Sequence, residues 1–237
     1  MNRFWIIDVM KGLGAQFILL HHLSIYGPIA EEIALDYPIA LDNFTEFTRL
    51  AVQAFLVISG FLTAKALTEM RQIDFFGLVV KRYTRLAPFF IFSLTLSVIA
   101  LITLENYLWG SWVPELPTWI GFLAHVFLLQ GVMNVPSISS GVWYVAIDFQ
   151  LFALTMLVAS WMSFGDKTRI DNVKLKLSLA LLCLSSLWIF NLYESMDNWA
   201  VYFFGAYALG IFARWAQESK ANRNLFFGLF VLGCMAL

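Results

Sequence analysis

The 237-residue chain is 60% hydrophobic and only 13% charged, about half the charged fraction of an ordinary soluble domain. That excludes a water-soluble globular protein. A formal net charge of −1 conceals a strong segregation of charge along the chain.

Apolar runs of about 20 residues suit a helix that crosses roughly 30 Å of hydrocarbon. They recur at 5–26, 50–68, 83–104, 142–163, 175–194 and 199–215, and another begins near 225. The expected fold is therefore all-α, a polytopic helical membrane protein of about seven visible spans. With no repeat and no linker in sight, residues 1–237 read as a single domain, incomplete at its C-terminus because the last run is cut off at Leu237.

The first run, WIIDVMKGLGAQFILLHHLSIYGP, follows Arg3 closely, lacks a small-residue cleavage site and exceeds a signal-peptide core. It reads as a retained span, yet it holds Asp8, Lys11, His21 and His22. Such groups are costly in a bilayer and usually face a protein interior or a wet cavity. At about 100° and 1.5 Å per residue, Lys11 and His22 lie within about 20° of each other and about 16 Å apart, and His21 points about 100° away from His22. One face thus carries a cation near one side of the membrane and an imidazole near the other.

The loop after this run holds Glu31, Glu32, Asp36, Asp42 and Glu46 against Arg49, whereas the next holds Lys65, Arg71, Lys81, Arg82 and Arg85. The positive-inside rule puts the N-terminus in the cytoplasm. Carried along the chain, it also puts Lys167, Arg169, Lys174, Lys176, Arg214, Lys220 and Arg223 inside, provided that Thr118 to Met133 does not cross. That apolar segment is short and reads as re-entrant or interfacial. Cys183 and Cys234 both sit in apolar runs as small hydrophobes. No disulfide framework or metal-ligand spacing is visible, and no nucleic-acid partner is expected.

Four further stretches carry chemistry: AFLVISGFLTAK from Ala54, VVKRYTRLAPFF from Val79, GVWYVAIDFQLF from Gly141 and YFFGAYALGIFA from Tyr202. In this order, with the first run, they resemble the membrane acyltransferase family 3. Its members acylate surface polysaccharides, peptidoglycan and some small molecules. The resemblance matches Lys11 and His22 to a family arginine and a histidine eleven positions on, Ser59–Gly60–Phe61 to a Ser-Gly-Phe motif, Arg82 and Arg85 to a basic pair, and Trp143 and Asp148 to a tryptophan followed by a membrane glutamate. Lysine replaces the arginine and aspartate the glutamate.

The resemblance implies an integral membrane O-acyltransferase of the bacterial inner membrane. Its donor would be cytoplasmic acyl-CoA, most often acetyl-CoA, and its acceptor a glycan or small-molecule hydroxyl, with membrane lipid as its surroundings. Histidine suits removal of the hydroxyl proton because its pKa lies near the working pH, so His22 is the expected general base. Asp148 is its expected orienting partner if 118–133 is re-entrant, and a partner for Lys11 if that segment crosses. Arg82 and Arg85 would meet the phosphates of the donor, and Lys11 its pantetheine arm or thioester carbonyl. Ser59 and Gly60 are expected to serve close packing. A polytopic transporter or a catalytically inactive relative would also place charges in a membrane cavity; the transporter predicts internal symmetry or paired broken helices, and neither is evident.

Overall fold

The computed structural model describes residues 4–70, 73–104, 107, 113, 115–162 and 173–234. Arg3, Arg71, Lys167, Arg169 and Leu237 fall outside the described residues. Nine α-helices are found among those described, without strands: α1 (Trp5–Ile25), α2 (Pro28–Asp36), α3 (Pro38–Glu69), α4 (Phe75–Leu104), α5 (Trp119–Val126), α6 (Val142–Met162), α7 (Val173–Trp188), α8 (Ala200–Trp215) and α9 (Lys220–Cys234). The protein is the all-helical membrane fold that its hydropathy predicts. By length and composition, α3, α4, α6 and the stretch Val173–Leu192 are each able to cross a bilayer. In α1, 21 residues give about 31 Å of helix, and its ionisable residues lower its hydropathy.

Two helices are longer than the apolar runs inside them. Pro38, at the first turn of α3, has no N–H to leave unsatisfied and a φ already suited to a helix. From there α3 continues for 32 residues, so Asp42, Glu46 and Arg49 lie on helix rather than in a loop. Likewise α4 begins at Phe75, which places Lys81, Arg82 and Arg85 two to three turns inside it. On α4, Phe89, Phe92, Leu96 and Ile99 are all at least half exposed and follow the i, i+3, i+7, i+10 spacing of one helix face. An exposed apolar stripe of that length fits lipid.

The most extensive helix contact joins α3 and α8, and glycine makes it possible. A Cβ on Gly60 would fall 1.9 Å from the Tyr207 carbonyl oxygen, and one on Gly210 would fall 1.9 Å from that of Val57. The two backbones therefore touch, as small residues allow in membrane helices. Gly60 has the packing role expected of it. Around this crossing lie the fully buried Leu56, Tyr207, Phe204 and Ile211, with Leu151 and Met156 of α6 and Leu179 of α7 in the same core. The Tyr207 hydroxyl is paired with Thr63 Oγ1 at 2.7 Å.

Helix direction settles how the chain passes from α4 to α6. Tyr83 meets Phe149 with ring centroids 6.1 Å apart, and farther along α4 Phe90 and Leu94 share a cluster with Val142 and Ala146 from the start of α6. The two helices run antiparallel, so α4 ends at the end of the bundle where α6 begins. In the chain between them, α5 has eight residues, about 12 Å of helix, which is too short to cross. His125 fastens the turn that follows: its Nδ1 lies 2.8 Å from the Gly121 carbonyl, and the Ile138 amide donates to its Nε2 at 3.3 Å. α1 and α3 are also antiparallel, with Phe4 against Phe61 and Phe17 against Phe47.

Candidate active site

Helical periodicity turns three separate motifs toward one cavity. On α3, Phe55, Ser59, Leu62, Ala66 and Glu69 recur every three or four residues; on α4, Lys81 and Arg85 are one turn apart with Arg82 beside them; on α6, Tyr144, Asp148 and Phe152 are spaced by four. All of these, with Lys11 of α1 and Lys65 of α3, line a cavity of about 800 Å³. Five cationic side chains and two carboxylates face it, against an apolar wall that includes Leu78, Leu86 and Met70. Its character is that of a site for an anionic ligand with an apolar portion.

At the centre of the wall three helices are tied together. Ser59 of α3 donates its hydroxyl to Asp148 Oδ1, and Arg82 of α4 donates from Nη2 to Asp148 Oδ2. The same Nη2 lies 3.4 Å from Ser59 Oγ. The guanidinium is stacked on Phe152, its central carbon 4.4 Å from the ring centroid. With side chains 29% and 17% exposed for Arg82 and Asp148, water screens this pair far less than a surface pair. Nearby, Lys65 lies over the Phe4 ring at 4.9 Å.

The expected site residues thus divide into two groups. Lys11, Arg82, Arg85 and Asp148 share the cavity, whereas His22 is not among its lining residues. Asp148 is engaged by Ser59 and Arg82 rather than by His22, whose buried Nδ1 has no hydrogen-bond partner among the described residues. Asp148 was the expected partner of His22 if 118–133 is re-entrant; the rotation of α6 instead turns the carboxylate toward α4. Ser59, expected to pack with Gly60, is a member of the polar cluster. His21, on the adjoining face, has Nδ1 3.0 Å from the Thr45 carbonyl and 3.2 Å from Thr48 Oγ1, which fastens the end of α1 to α3.

Lys65, Lys81, Tyr144 and Phe152 were not anticipated as lining residues. For Tyr144 and Phe152 the available signal was their spacing of four residues from Asp148 on α6; Lys65 and Lys81 have no such spacing from Ser59 or Arg82. Among the described residues no group of three or more His, Cys, Asp or Glu side chains is placed to hold a metal.

A bundle of long apolar helices enclosing a basic, apolar-walled cavity defines an integral membrane protein equipped to receive an amphipathic anion. Residues 4–237 match the acyltransferase 3 family model, an acyltransferase domain, and the chain belongs to that family. It is an acyltransferase of the membrane-embedded kind. No curated protein and no solved structure matches the chain significantly.

Proposed function

We propose that the protein is an O-acyltransferase that takes an acyl group, acetyl in the first instance, from cytoplasmic acyl-CoA and passes it to a hydroxyl of a cell-surface glycan or related acceptor. The observation that carries this reading is the cavity, where cations outnumber carboxylates and an apolar wall lies beside them. Phosphates suit the cations, and the pantetheine arm and acyl chain suit the wall. In this reading the cavity opens to the cytoplasm, in keeping with the charge distribution.

Lys11 projects into the same cavity, three turns of α1 from His22, about 16 Å. An extended arm entering past Lys11 brings its thioester toward the imidazole. There the acceptor oxygen attacks the thioester carbon while His22 takes the hydroxyl proton. The C–S bond then breaks, and the His22 imidazolium returns the proton to the departing thiolate of coenzyme A. His22 Nδ1 has no hydrogen-bond partner among the described residues.

The test is purified protein incubated with radiolabelled acetyl-CoA. Time-dependent release of free coenzyme A, dependent on His22, is expected. Absence of both turnover and coenzyme A binding would refute the proposal.

A further inference from the structure

The four basic residues at the α3 and α4 wall are not equivalent. Lys81 and Arg85 are one turn apart on one stripe of α4, and among the described residues neither has an ion-pair partner. Arg82, one position round the helix, is committed on two sides, by Asp148 at its edge and by Phe152 on its face. A phosphate brought to Arg82 would lie against the Asp148 carboxylate, and one that displaced the carboxylate would leave it part-buried without a cation. Both outcomes are costly, since an unpaired charge away from water carries the full desolvation penalty.

We propose that Arg82 is a positioning residue, clamped by Asp148 and Ser59, and that Lys81 and Arg85 recognise the anionic end of the acyl donor. The clamp joins α3, α4 and α6 at one point and so fixes the stripe that carries Lys81 and Arg85 relative to Lys11. Asp148 thereby acts on the geometry of the cavity and not on the imidazole. This inference rests on the donor-cavity reading above, and its test separates the two.

The experiment measures coenzyme A affinity together with kcat and KM for acetyl-CoA on purified variants. Lys81→Gln and Arg85→Gln are each expected to raise the Kd about tenfold or more, the effect of one charge-assisted contact. The double variant Arg82→Gln/Asp148→Asn removes both charges and leaves the net charge unchanged. It is expected to keep the Kd within about twofold while kcat falls, because recognition survives and alignment does not. A Kd raised as far as in Arg85→Gln would make Arg82 a donor ligand and overturn the inference, and so would unchanged kcat. Unchanged affinity in Lys81→Gln and Arg85→Gln would remove the donor-cavity reading itself, and the inference with it. If the double variant does not yield folded protein, Arg82→Lys carries the test. It keeps the charge but loses the planar fork, so kcat should fall at constant Kd; a raised Kd or an unchanged kcat overturns the inference.

Discussion

Replacing Gly60 by alanine opposes two effects whose sizes the structure sets. In a helix interior alanine is favoured over glycine by about 1 kcal/mol, so propensity alone predicts stabilisation. The added methyl, however, would stand 1.9 Å from the Tyr207 carbonyl oxygen, and 3.0 Å is the floor for real Cβ contacts. The α3 and α8 backbones must part by about 1.1 Å, the difference between those distances. The atoms it would meet, in Tyr207 and Ile211, are all backbone, so nothing local gives way. Overpacking of this kind costs about 1–3 kcal/mol, which exceeds the propensity gain. Gly12 and Gly228 serve as controls, since a Cβ at either meets nothing within 4 Å. Thermal unfolding in detergent should show Gly60→Ala destabilised and the two controls unchanged or stabilised. Ser59 adjoins the displaced crossing, so acyl transfer should fall in Gly60→Ala as well. A Gly60→Ala protein as stable as Gly12→Ala would refute the close-contact argument.

His22→Ala should lower acyl transfer by about 10²- to 10⁴-fold with coenzyme A affinity intact, whereas His21→Ala, which loses the bonds to Thr45 and Thr48, should cost about 1 kcal/mol of stability and far less rate; equal rate losses would count against His22 as the base. Tyr207→Phe leaves the buried Thr63 hydroxyl without its 2.7 Å partner, and an unfolding temperature unchanged from the parent would contradict the expected loss of about 1–2 kcal/mol. Burial lowers the pKa of His125 below 6.5, more than its bond to the Gly121 carbonyl raises it. The unfolded state therefore binds more protons there, and the stabilising contribution, complete above pH 6.5, is lost as pH falls below that value through the lowered pKa of the folded state. Hydrogen-exchange protection of the α5 turn should decline from about pH 7 to about pH 5, and a flat profile would exclude this role. Cysteines introduced between Lys65 and Arg85 should react with an impermeant reagent only in opened cells; reaction in intact cells would reverse the proposed orientation.

Hydropathy made the helical membrane fold legible because lipid demands long apolar helices wherever the chain crosses. Helix ends were less legible. The expected start of the second span, at residue 50, followed the loss of apolar residues, yet α3 begins at Pro38, because a helix that projects beyond hydrocarbon needs a suitable first turn, which proline provides, and polar surface rather than hydrophobicity. The short length of 118–133 suggested a segment that does not cross, and the helix found within it, α5, has only eight residues. The Gly60 contact was legible as a small residue, but its partner Gly210 was not paired with it, since sequence does not reveal which helices meet.

The same limit governed the site. Residue type marked Lys11, and the family resemblance marked Arg82, Arg85 and Asp148; their common cavity agrees with the rule that charged groups in a membrane protein face protein or water. The expected pairing of Asp148 with His22 rested on which side of the membrane α6 starts from. Azimuth decides the pairing, however, and it follows from how α6 packs against α3 and α4. Tyr144, Asp148 and Phe152 form one stripe turned toward Arg82 and Ser59, so the carboxylate meets the guanidinium first. There is also an electrostatic reason for that outcome. Five cations around one cavity repel one another, and a carboxylate within their wall relieves the repulsion where it is least screened. Placed instead beside His22, outside the cavity, Asp148 would leave Arg82 unpaired among Lys11, Lys81 and Arg85. The wall that can receive a polyanion is therefore also one that needs an internal acid to hold its shape before the ligand arrives.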